Sequence, residues 1–287
     1  MKKLNNYITE RLKLTSKTYN YTCQPKNRNE LRKILEERLT KDKNADLNDI
    51  DVSKITDMGY KGFPNDKGLF EGLDPHNIDI SEWNVSNVID MKYMFYQCKN
   101  FTGTGLENWD VSNVTNMTNM FFDCKHLNCD VSNWDVSNVE DMNHMFYKCN
   151  KFNSDISGWN VSNVIDMNYM FYKCNKFNSD ISGWNVSNVI DMTYMFYECA
   201  NFDCNLDYWD ISNVQDMSFM FTCCERFKGK GLENWNVENV IDMKYMFWNC
   251  YQFNNDLNCW NTKNVKQLEN MFSGCHSLDK EPDWYQR

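Results

Sequence analysis

The chain has 287 residues, 17 Met, 18 Phe, 15 Tyr and 10 Trp against 11 Gly and 4 Pro, and a formal net charge of −10. That aromatic content supplies a large core and excludes a disordered chain, while the acidic excess repels phosphate backbones and excludes nucleic acid as the main partner. The charge is unevenly placed: residues 1–75 carry 15 Lys+Arg and 12 Asp+Glu, residues 76–287 carry 15 and 28.

The first 23 residues, MKKLNNYITERLKLTSKTYNYTC, are basic but contain no apolar run long enough for a secretory signal. No segment approaches the 18 or so apolar residues of a membrane-spanning helix. With no leader, the 13 Cys read as free thiols of a reducing compartment, and an intracellular protein is expected.

Residues 1–47 are expected to form an N-terminal segment with a capping helix. NRNELRKILEERLTKD (27–42) places Leu31, Ile34, Leu35 and Leu39 on one face, with Asn29 as a plausible cap. Residues 48–287 read as a nine-unit repeat array with a C-terminal cap. The first unit is degenerate, DIDVSKITDM (49–58), with Ile50 in the leading apolar slot and an insertion around GYKGFPNDKG. Eight units then begin at Trp83, Trp109, Trp134, Trp159, Trp184, Trp209, Trp235 and Trp260, 25 or 26 residues apart.

With Trp as column 1, column 12 is always Met, column 13 always Phe and column 16 always Cys. Met167, Met170, Phe171 and Cys174 follow the i, i+3, i+4, i+7 spacing of one helix face, so a two-turn helix is expected in each unit. Asp166 stands where its N-cap belongs. Trp159 and Val161, two apart, read as a short strand with both side chains inward. The expected fold is an α/β repeat solenoid with one strand and one helix per unit. The chain end, HSLDKEPDWYQR, reads as a fading last unit.

The recurring WNVSNVIDMxxMFxxC, with its lead-in PKNRNELRKIL and LNDIDVSKITDM, resembles the 25–26-residue repeat of bacterial surface proteins related to the BspA-type leucine-rich-repeat family. The resemblance covers residues 25–278. It implies a leucine-rich-repeat-like arc that binds protein or mediates adhesion, and a place at the cell surface.

The sequence carries little sign of catalytic chemistry. His76, His126, His144 and His276 occupy unrelated columns, and no nucleophile–base spacing or phosphate-binding glycine loop occurs. No catalysis, cofactor or metal is expected. Each column-16 Cys shares its face with two Met and a Phe and reads as a small buried hydrophobe. The Asp column (Asp90, Asp141, Asp166, Asp191, Asp216 and Asp242) reads as helix caps, with bound calcium as the lesser reading.

Two surfaces remain as candidate contacts for an unknown protein partner of a monomeric scaffold. Columns 11 and 14 hold Tyr93 with Tyr96, His144 with Tyr147, Tyr169 with Tyr172, Tyr194 with Tyr197, and Tyr245 with Trp248. On the helix wheel these rings lie opposite the Met–Phe face, suited either to recognition or to a structural stack. Column 2, with Asn160 and Asn185 at its centre, would form a polar ladder on the strand face. Adhesion to host matrix or glycan is the alternative function.

Overall fold

The computed structural model describes residues 20–62 and 66–285. The expected fold class is overturned. Among the described residues there is one α-helix, α1 (Arg28–Lys41), and one 3₁₀ turn, Leu232–Asn234. Strands shrink to single-residue parallel bridges, such as Asp141 to Asp166 and Asp166 to Asp191. A unit is therefore a coil of successive turns, with neither a helix nor a strand, and the leucine-rich-repeat-like α/β arc is not its architecture.

The reason lies in how the backbone N–H groups divide their partners. In the unit starting at Trp159, those of Met167, Tyr169, Phe171 and Lys173 donate to carbonyls of Asp191, Thr193, Met195 and Tyr197 in the next unit, at 2.7–3.2 Å. The alternate N–H groups of Met170, Tyr172 and Cys174 close turns onto Met167, Tyr169 and Phe171 at 2.9–3.2 Å. Ile190 returns a fifth inter-unit bond to Ile165, at 3.0 Å. The first and last of these turns, Met167–Met170 and Phe171–Cys174, have a positive φ at their third residue. Tyr169 at 53° and Lys173 at 59° supply it, and columns 11 and 15 repeat it along the stack.

An isolated two-turn helix is marginal in water. Here the neighbouring unit offers acceptors for every second N–H, so the turns win. The i, i+3, i+4, i+7 pattern still predicts burial correctly, because Met167, Met170, Phe171 and Cys174 are all fully enclosed. The strand expected at Trp159–Val161 fails for a related reason. Trp159 N–H closes a turn onto Ile156 and Val164 N–H one onto Val161, and the inter-unit bridge forms at Asp166 instead.

Side chains knit the same stack. The indole N–H of Trp184 donates to the Ile156 carbonyl at 3.1 Å, and the eight unit-leading Trp and Trp284 all make this bond. The column-16 thiols are more than hydrophobes: Cys174 donates to the Phe146 carbonyl and Cys199 to that of Phe171, both at 2.9 Å. Burial pushes these thiols well up from their ordinary range, so they stay protonated and unreactive. All 13 cysteines are free.

The two 26-residue intervals absorb their extra residue at a glycine corner. Gly231 has a φ of 91°, and a Cβ there would lie 2.3 Å from the Asp207 nitrogen, so only glycine fits.

Ring spacing shows how the units fan. Equivalent column-13 Phe rings from Phe95 to Phe272 lie 5.5–5.7 Å apart, and the stacked Trp rings 6.1–6.5 Å apart. The column-14 rings from Tyr96 to Tyr197 are only 4.2–4.8 Å apart. Pure translation would give one spacing for all equivalent groups. The units are therefore rotated as well, and the stack bends with the turn ladder and its tyrosines on the inside.

At the N-terminal end α1 closes the core with Leu31, Leu35 and Leu39, all fully buried. Its cap is Asn27, whose side chain accepts the Glu30 N–H, and not the Asn29 expected from sequence. The insertion falls between columns 11 and 13 of the first unit. Tyr60 donates to Lys92, and Phe70 rejoins the ladder on Met94 and stacks on Phe95 at 4.7 Å. Phe63, Pro64 and Asn65, in the middle of the insertion, lie outside the described residues.

Candidate functional site

The inside of the bend is built from columns 7 to 15, the segment that carries the inter-unit bonds. Column 11 contributes one stacked row: His144, Tyr169, Tyr194, Phe219 and Tyr245, with centroids 4.4–4.8 Å apart. Column 14 contributes a second, from Tyr96 through Phe122, Tyr147 and Tyr172 to Tyr197. Asn119 separates this row from Tyr93, which packs against Tyr60 and Tyr96, both at 5.2 Å. Trp248 stands apart, edge-on to Tyr245 at 6.3 Å, because Thr222 interrupts the second row. The rings are half-buried and stacked on one another, so they are less open than a helix wheel implies.

Partial burial, with neighbouring tyrosines, pushes the Tyr169 hydroxyl up to about 12 and raises that of Tyr172 as well. Both are neutral donors at any physiological pH. Lys148 lies over the Tyr147 ring at 5.1 Å. Lys173 sits between Tyr172 and Tyr197 at 5.5 and 5.8 Å and pairs with Glu198 at 2.8 Å. The face is thus aromatic with charged edges.

Next to these rows runs the Asp column, which does not cap helices, there being none in the units. Asp166 Oδ1 accepts the N–H of Asn168 two residues on, at 2.9 Å, and Asp141, Asp191 and Asp216 repeat this turn. Desolvation, aided by Asp191 and Asp141, lifts the Asp166 carboxyl to about 6 against the opposing Asn168 bond. Among the described residues no cluster of His, Cys, Asp or Glu is arranged to hold a metal ion.

Column 7 was not singled out in sequence, yet it holds the most exposed aliphatic side chains: Ile89, Ile165, Ile190 and Ile241, each 40–50% exposed. A groove of about 570 Å³ runs beside this column, lined by Ile89, Thr115, Glu140 and the column-5 asparagines. The signal was in the sequence, as an apolar residue outside the inward columns in half the units.

Column 5 also forms the asparagine ladder that was expected of column 2. The Asn163 and Asn188 amides donate to the Ser137 and Ser162 carbonyls of the preceding unit, both at 2.7 Å. Asn160 and Asn185 are exposed, and their side-chain oxygens accept the N–H of Ser162 and Ser187 at 3.1 Å within their own turns. Tyr93, Tyr96, Tyr147, Tyr169, Tyr172, Tyr194, Tyr197 and Tyr245 are brought onto one face, and Asn160 and Asn185 are not part of it.

No described helix is long and apolar enough to cross a membrane. Comparison with curated proteins and with solved structures finds no match. A family model described as "Mycoplasma protein of unknown function, DUF285" matches in four overlapping segments, 29–131, 65–184, 97–208 and 201–286. That match marks a tandem-repeat protein but names neither a BspA-type nor a leucine-rich-repeat family. Spanning the whole stack, it shows that the chain belongs to the DUF285 family.

Proposed function

We propose that this protein is a non-enzymatic scaffold that binds a protein partner along the inside of its bend. The carrying observation is the double row of tyrosines with exposed Ile165 and Ile190 alongside, a continuous aromatic and aliphatic face bordered by Lys148, Lys173 and Glu198. Tyrosine makes large contacts at low conformational cost, and stacked rows are pre-organised for them. The concave face of a stacked repeat array is also where an extended partner gains most contact.

The rows are structural as well, so the test separates the two roles. Tyr172→Phe with Tyr197→Phe keeps the stack and removes two hydroxyls, while Ile165→Lys with Ile190→Lys leaves the rings alone and spoils the exposed aliphatic edge. A protein crosslinked to and captured by the wild type should bind the Ile165→Lys, Ile190→Lys variant at least about tenfold more weakly, with an unchanged melt. Full binding by both variants would place the partner elsewhere.

A further inference from the structure

Every interior unit passes hydrogen bonds in one direction. N–H groups of columns 9, 11, 13 and 15 point towards the next unit, and the carbonyls of columns 8, 10, 12 and 14 point back. Column 7 runs the opposite way, its N–H donating backwards. The terminal units therefore carry unequal edges. At the C-terminal end no acceptor among the described residues meets the N–H groups of Leu268 and Asn270, and the Lys266 carbonyl receives no donor. At the N-terminal end, among the described residues, the carbonyls of Asp57 and Gly59 receive no donor and the Thr56 N–H has no acceptor.

These six groups make three of the five pairs of one inter-unit junction; in columns 13 and 15 the Phe272 and Gly274 N–H groups also meet no described acceptor, while the Leu69 carbonyl of the first unit is taken by Arg32. Leu268, Asn270 and Lys266 stand in columns 9, 11 and 7 of the last unit; Asp57, Gly59 and Thr56 stand in columns 8, 10 and 7 of the first. Each edge also opens into a notch at those columns. One is lined by Val265, Lys266, Leu268, Glu269 and Asn270, the other by Lys54, Ile55, Thr56, Asp57 and the start of α1. Neither notch is filled by the elements that close the apolar core.

We propose that a second copy of this chain is the occupant: molecules stack head to tail, the C-terminal edge of one copy on the N-terminal edge of the next. In that register Leu268 donates to Asp57, Asn270 to Gly59, and Thr56 to Lys266, reproducing three of the five bonds between interior units. The charges agree with it. In the first notch Arg28 pairs with Asp66 and Lys61 with Asp57, which leaves Lys26 and Lys54 as its uncompensated charges, while the described residues of the last unit and its tail carry Glu269, Asp279, Glu281 and Asp283 against Lys263, Lys266 and Lys280. Two like ends cannot make these three bonds, because the C-terminal edge offers two donors and one acceptor where two acceptors and one donor are needed. The contact is therefore heterologous and leaves a free edge at each end, so assembly continues beyond a dimer. This departs from the monomer expected from sequence and does not depend on the partner-binding reading.

Sedimentation velocity of the full chain at low salt, up to about 0.5 mM to reach weak, small contacts, tests it. The mass average should climb past that of a dimer and fall back with added salt. Lys54→Glu with Lys61→Glu, and separately Glu269→Lys with Asp283→Lys, should each stay monomeric with a wild-type melt, since all four side chains are on the surface. An equimolar mixture of the two variants should associate again, because each supplies the charge that the other lacks. A wild type that stays monomeric throughout, a dimer that stops at two, or association that both variants retain would overturn the proposal.

Discussion

The two ends of the stack are closed to different degrees. At the start, α1 lays three fully buried leucines on the first unit and fixes itself with Arg28 to Asp66 and Arg38 to Asp49. At the finish, Trp284 and Tyr285 cover the core only in part, and Val265, Leu268 and Cys275 remain half-buried where interior residues of the same columns are enclosed. The centre is as closed as any folded core. Stability in a stacked array is a sum of units and their interfaces. The difference therefore predicts a stack that loosens from its C-terminal end while its centre and N-terminal end hold.

The largest effect should come from a buried charge. Met170→Asp removes the central unit from the fold, costing more than about 4 kcal/mol, whereas Leu268→Asp, in a loosely covered column, should cost about 1 kcal/mol. Thermal melts of the two variants decide it, and equal costs would mean that the last unit is packed as well as the centre.

Aromatic truncation should follow the same gradient. Trp184→Ala should cost about 4 kcal/mol and Trp284→Ala about half of that, since Trp284 has one stacked neighbour in the Trp row and is half-buried. Native-state hydrogen exchange should show the amides of residues 268–275 opening before those of residues 167–174.

A smaller contrast concerns pH. The Asp166 carboxyl sits at about 6 in the folded chain, above its ordinary value. The folded state therefore binds this proton more tightly than the unfolded state, and stability from this group falls as pH rises from about 4 to about 6. Asp166→Asn keeps the turn, as Asn116 does in the same column, and should flatten that part of the profile and raise the melting temperature at pH 7. At the open end the column holds Gln267, so Gln267→Asn should leave the pH profile unchanged.

The smallest effect probes the left-handed positions. Gln97 is exposed with a φ of 57°, and Gly274 holds the same column in the last unit with 82°. Gln97→Gly should be neutral or stabilising by up to about 1 kcal/mol, and Gln97→Val should cost more than about 1 kcal/mol, because a β-branched residue resists positive φ. A melt in which valine is tolerated as well as glycine would mean that this turn is not held in the left-handed form.

Column identity was legible from residues alone: Met170, Phe171, Cys174 and Trp159 are enclosed as their spacing requires, because side-chain burial follows a period that any stacked coil imposes. The unit boundaries and the cap helix around Leu31, Leu35 and Leu39 were legible for the same reason. Trp284, in the segment that reads as a fading last unit, follows Trp260 by 24 residues and continues the indole ladder. What tertiary structure alone decided was the backbone. The N–H of Tyr169 could close a helix within its unit or reach Thr193 in the next, and nothing local to residues 166–174 distinguishes the two. The neighbouring coil supplies acceptors at the right spacing, which turns an expected helix into successive turns. It also puts the Tyr169 and Tyr172 rows on the inside of a bend and gives the two ends of the stack edges of opposite hydrogen-bonding sense.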